Sequence, residues 1–210
     1  MTLFLYSSID APWNSDKAHQ YLSLLPKTMQ QQVQHYHREH DQQTALMGKI
    51  LLQRGLQQFG LEASLSNISY TEYHRPFLEG SIDFNLSHAE NYCACAISDE
   101  ARIGIDIEYV RPVKLERFRS LWHEEEWQAI IESRSPHRQL YTFWTQKEAV
   151  VKADGRGLYI NPKEVAIRAH QARIDDTTWH LRPIEVGKDY IAQMASSSVI
   201  DELAIMQVDL

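Results

Sequence analysis

The chain has 210 residues, room for one large domain or two small ones, and 43% hydrophobic content with five tryptophans calls for a folded core rather than disorder. A formal net charge of −7 excludes general nucleic-acid binding, which needs a basic surface, but allows a polyanionic small molecule in a locally basic pocket. No apolar run approaches the ~20 residues of a membrane span, and Met1-Thr2-Leu3-Phe4-Leu5-Tyr6 lacks the basic start and small-residue cleavage site of a secretory signal, so a cytoplasmic protein without membrane contact is expected.

Leu3 to Ser7 reads as a first strand. Asn14 or Ser15 then caps a helix reaching about Leu25, where Pro26 breaks it. Gln30 to His40 is a polar stretch ending in Tyr36-His37-Arg38-Glu39-His40. Its histidines lack the H-E-x-x-H spacing of a zinc helix and read as polar surface or as the rim of a ligand site. A long helix follows to about Gly60, with Leu46, Ile50, Leu51 and Leu56 on its apolar face. Ile68 to Tyr73 predicts a strand and His74-Arg75-Pro76 a turn. Strands Ile82–Leu86 and Tyr92–Ile97 are joined by Ser87-His88-Ala89-Glu90-Asn91. Cys93 and Cys95 share one face of the last strand. A disulfide between them would be strained, so two buried thiols in a reducing compartment are expected.

The second half opens on the strand Ile103-Gly104-Ile105-Asp106-Ile107-Glu108. Arg111-Pro112 ends it, Leu115–Leu121 and Glu124–Ile131 predict short helices, and Pro136 starts a long helix that stops at Gly155-Arg156-Gly157. Strands are expected over Val165–Arg168, Thr178–Arg182, Tyr190–Ala195 and Glu202–Val208. Each half reads strand, helices, strands, which predicts an α+β protein of two similar lobes, 1–100 and 101–210, with a short boundary near Asp99–Arg102.

Chemistry concentrates in the second half. Alternation puts Ile103, Ile105 and Ile107 on one side of their strand and Gly104, Asp106 and Glu108 on the other, so two carboxylates point the same way from an open face. On the long helix Glu148 and Lys152 are four apart and share a face. Alone, the first pair describes a solvated edge strand and the second an ordinary helix ion pair. Together, three acids and a lysine fit a hard metal ion and a phosphate.

Gly104-Ile105-Asp106-Ile107-Glu108 followed by Phe143-Trp144-Thr145-Gln146-Lys147-Glu148-Ala149-Val150-Val151-Lys152 resembles the two signature motifs of the 4′-phosphopantetheinyl transferase superfamily. Asn85-Leu86-Ser87-His88, His74-Arg75-Pro76 and Gly155-Arg156-Gly157-Leu158 resemble further segments of its surfactin-synthetase type, in which one chain forms an intramolecular pseudo-dimer and acts as a monomer. The resemblance implies transfer of the phosphopantetheine arm of coenzyme A to a serine of an apo acyl or peptidyl carrier protein, with release of adenosine 3′,5′-bisphosphate. It implies Mg2+ held by Asp106, Glu108 and Glu148. Glu148, directly or through a water, would take the serine proton, and Lys152 would stabilise the phosphate or leaving group. Coenzyme A would meet Lys27, Lys49, Arg75, Pro76, Ser87, His88, Asp106 and Lys152, with the first lobe carrying most contacts and the second the metal and catalysis. Thr44 and Gln53 stand where that type has arginines, and Glu126 is either a further acid near the metal or a solvated helix start. A magnesium phosphohydrolase would show an Asp nucleophile motif or several metal-binding histidines, and neither is present. A binding module without turnover would not need the full Asp106, Glu108, Glu148 and Lys152 set.

Overall fold

The computed structural model describes residues 1–9, 11–61 and 65–210. Its strands are β1 (Thr2–Ser8), β2 (Ser69–Tyr70), β3 (Pro76–Phe77), β4 (Asp83–Ala89), β5 (Tyr92–Ser98), β6 (Ile103–Tyr109), β7 (Ala166–Arg168), β8 (Gln171–Ile174), β9 (Thr177–Ile184), β10 (Tyr190–Ser196) and β11 (Leu203–Gln207). Its helices are α1 (Ser15–Ser23), α2 (Lys27–Gln34), α3 (Glu39–Gln58), α4 (Glu124–Ile131) and α5 (Pro136–Asp154). The architecture is mixed α and β, and the chain divides into two compact units, Met1–Glu100 with Glu202–Leu210, and Ala101–Asp201. Among the described residues no helix is long and apolar enough to cross a membrane.

In the first unit the sheet order is β11-β1-β5-β4. Leu46, Met47, Ile50, Leu51 and Leu56 of α3 pack with Leu3 and Leu5 of β1 and with Cys93, Cys95 and Ile97 of β5. Both cysteines are free and buried, and burial pushes the Cys93 thiol up to about 12. Asn14 caps α1 by accepting from the Lys17 backbone N–H at 2.8 Å. The glutamine-rich stretch is helical over α2, because Met29 and Val33, four apart, give it a buried side. Strand β4 runs on through Ser87 and His88, which were expected in the connecting turn. The turn is tighter, at Glu90-Asn91, with Glu90 at φ 45°.

In the second unit the order is β6-β10-β9-β8-β7, all neighbours antiparallel, with α5 packed against β6 and β10. Ala149, Val150 and Ala153 of α5 join Trp179, Leu181 and Ala195 in its core. Strand β8 escaped the sequence reading because only Ala172 and Ile174 are buried in it. A lobe spanning 101–210 is corrected at its end: β11 pairs in parallel with β1, Leu3 opposite Ala204, and belongs to the first unit.

Candidate active site

Gly104 decides how close α5 comes to β6. A Cβ there would lie 2.1 Å from the Ala149 carbonyl oxygen and 2.3 Å from the Ala153 nitrogen, inside the helix backbone. Only glycine lets α5 lie directly on this face of the strand. The face that carries Asp106 and Glu108 is therefore not open, as alternation alone suggested, but covered by the helix that carries Glu148 and Lys152. Asp106 is 6% exposed and Lys152 Nζ donates to its Oδ1 at 2.7 Å. The lysine expected on a phosphate is thus an internal counter-charge to Asp106.

Burial, then the charge of Asp106, pushes Glu108 up to about 7, against a hydrogen bond from Trp144 and the charges of Lys152 and Arg111. Glu148 is raised for the same two reasons, burial first and Asp106 second, with Lys152 opposing. Asp106, Glu108, Glu148 and Lys152 thus form one electrostatic group. Among the described residues no three acids or histidines converge as a ready-made metal centre. The donor set nevertheless suits a hard divalent cation. It is all carboxylate oxygen, partly desolvated, with Asp106 repelling both Glu108 and Glu148, the donor chemistry that such a cation accepts.

Glu126 stands elsewhere. Its carboxylate accepts from Lys147 Nζ at 2.8 Å and from the His123 backbone N–H at 3.0 Å, closing a capping box on α4. Lys147 is 1% exposed, also donates to the Pro162 carbonyl at 3.0 Å, and sits 5.3 Å from the centre of the Trp122 ring. Sequence reasoning passed over Lys147. A signal was available, since α5 is buried on several sides and a lysine there needs an acid partner.

In the first unit, a cleft of about 500 Å³ is lined by Arg38, Thr44, Lys49, Ser87 and His88. It gathers three of the residues expected to meet coenzyme A. Burial lowers the Lys49 pKa, and Arg38, which the sequence reading did not single out, adds a second strong base to the rim. Thr44, in place of an arginine, turns its hydroxyl back to the His40 carbonyl at 2.8 Å. The cleft lining does not include Lys27, Arg75 or Pro76. Lys27 is exposed at the start of α2, and Pro76 begins β3. Arg75 is 8% exposed and donates through both terminal nitrogens to Asp83 at 2.9 and 2.8 Å, a bidentate pair that stitches the turn to β4.

Two family models match adjoining stretches: the 4′-phosphopantetheinyl transferase superfamily over residues 102–195, and the 4′-phosphopantetheinyl transferase N-terminal domain over residues 11–100. The chain belongs to the 4′-phosphopantetheinyl transferase superfamily. The transferase is 34% identical over 143 residues to the 4′-phosphopantetheinyl transferase gsp of Aneurinibacillus migulanus, a match spanning 66% of this chain and 59% of that one. It is 26% identical over 168 residues to 4′-phosphopantetheinyl transferase Sfp of Bacillus subtilis, spanning 78% and 75%. With 4′-phosphopantetheinyl transferase AcpT of Salmonella typhi it shares 38% identity over 118 residues, spanning 52% and 57%. The superfamily match contains every acid of the α5-covered face together with Lys152.

Proposed function

We propose that the enzyme transfers the 4′-phosphopantetheine arm of coenzyme A to a serine of an apo acyl or peptidyl carrier protein and releases adenosine 3′,5′-bisphosphate, in the manner of the Sfp type. The observation that carries this reading is the acid face of β6 lying under α5, where Gly104 brings Glu148 and Lys152 to Asp106. Asp106, Glu108 and Glu148 would hold Mg2+, which when bound neutralises charge on the pyrophosphate. Glu148 takes the serine proton. Without the metal, burial and Asp106 raise its pKa, and among the described residues no hydrogen bond ties it down. Lys152, which donates to Asp106, would stabilise the phosphate or the leaving group.

The first unit supplies the coenzyme A contacts, with Lys49, Ser87 and His88 in the cleft and Arg38 carrying charge that Thr44 lacks. Lys27 and Pro76 are assigned to coenzyme A by resemblance. Arg75 contributes by holding its turn, unless phosphate draws it from Asp83. Each unit sets one long helix, α3 or α5, on one sheet, which supports the reading of two similar lobes in a monomeric pseudo-dimer. Two buried free thiols support a reducing, cytoplasmic setting.

The test is to incubate the protein with coenzyme A, Mg2+ and a panel of apo carriers and to weigh the carriers. Carriers heavier by one phosphopantetheine, with an Asp106→Asn control leaving them unchanged, are expected. An unmodified panel sinks the reading.

A further inference from the structure

We propose that Gln193 is a further oxygen donor of the acid site, a neutral carbonyl added to the three carboxylates read to hold the divalent cation. The inference rests on that reading of the acids. Gln193 lies on β10 opposite Asp106 in antiparallel register. Residues so paired project from the same face of the sheet, their Cβ atoms roughly 5 Å apart. The carboxamide therefore shares the α5-covered face with the site acids, flanked along β10 by the apolar Ile191 and Ala195. It is 4% exposed, and among the described residues its Oε1 accepts no hydrogen bond.

A buried amide oxygen without a donor is rare because it loses its water and gains nothing back. Leucine or methionine would fill the same volume without that cost. Lys152 offsets the charge of Asp106 at Oδ1, but among the described residues no donor reaches Gln193 Oε1. A polar group kept where an apolar one would be more stable marks a site whose occupant is not protein. A carbonyl is the oxygen such a site can add without a fourth negative charge, and hard cations accept it readily. Among the described residues the other buried side-chain oxygen without a donor outside the acids, Gln146 Oε1, lies on α5 with no strand register tying it to them. The orphaned Trp122 and Trp179 nitrogens are donors and have no use for a cation.

The experiment compares the unaltered chain with Gln193→Leu and Gln193→Glu. Mn2+ binding is followed by electron paramagnetic resonance in the presence of coenzyme A, and melting temperature is measured without metal. Gln193→Leu should weaken Mn2+ binding by roughly ten- to a hundred-fold, the usual effect of losing a supporting group at a metal site, while the metal-free protein melts no lower. Gln193→Glu, which keeps an oxygen in place, should retain binding. Undiminished Mn2+ binding by Gln193→Leu overturns the inference. A lower melting temperature in both variants, with binding lost in both, also overturns it, because the amide would then be a structural donor to Asp106. If the unaltered chain itself binds no Mn2+, the reading of Asp106, Glu108 and Glu148 falls, and the inference with it.

Discussion

Glu148 and Glu108 carry the same charge but invite different tests. Replacing Glu148 by Gln keeps its shape and removes its basicity. Transfer should fall by about 10²–10⁴-fold, the usual contribution of a general base, and the loss should persist at saturating Mg2+. Full recovery by added Mg2+ would make Glu148 a metal ligand only. Glu108 is pushed up to about 7 from an ordinary carboxylate value. In metal-free protein the folded state therefore holds a proton that the unfolded chain has already lost. Stability should fall as pH rises from about 4.3, the unfolded value, to about 7, and then level off. Cation binding, which competes with that proton, should tighten over the upper part of the same range. Thermal melts and Mn2+ titrations at stepped pH check both, and a flat profile from pH 5 to 8 would contradict the assignment. The four residues of this group were legible in sequence because period-2 and i,i+4 spacing dictate which side chains share a face. The ion pair of Arg75 was not legible, because its partner, Asp83, lies across a turn where no spacing rule applies. Arg75→Ala should cost about 3 kcal/mol, the lower end for breaking a buried pair, with a smaller effect on the Michaelis constant for coenzyme A. Chemical denaturation, with Asp83→Ala and the double variant to close the cycle, measures the share due to the pair.

At the scale of elements, the contact of α5 with β6 governs the site. Gly104→Ala drives a methyl into helix backbone, which cannot swing aside as a side chain can. The cost should reach at least the upper end of the ~1–3 kcal/mol typical of overpacking. The helix should lift, so that Lys152 leaves Asp106 and activity falls further than stability. Stability loss with full activity would mean the helix position does not set the chemistry. Helices α3 and α5 were readable from their apolar faces and their glycine stops, Gly60 at φ 69° and Gly155 at φ 92°. Helix α2 was hidden by glutamines that leave only two apolar residues to mark its buried side. The strand expected over Ile68–Tyr73 shrinks to the two residues of β2, because positive φ at His74 turns the chain back at once.

At the scale of the whole molecule, residues 101–201 are an insertion between β5 and β11 of the first unit. No local signal reveals that pairing, because β1 and β11 are nearly a chain length apart and their parallel register is set by tertiary contact alone. Val208 and Leu210 pack on the first unit's core, and Lys17 donates to the Leu210 carbonyl at 2.7 Å. Removing residues 203–210 should therefore loosen the first unit while leaving the second ordered. Hydrogen exchange should show faster exchange in β1 and α1 and unchanged protection in β6 and α5. Equal loosening of both units would deny their independence. The same pairing reverses the usual order of assembly on the ribosome, where the N-terminal part commonly folds first. Here β1 is made first but must wait for β11, which emerges after every strand of the second unit. Nascent chains arrested before β11 appears should resist protease over 101–201 and yield over 1–100, with the bare edge of β1 open to whatever chaperone meets the growing chain.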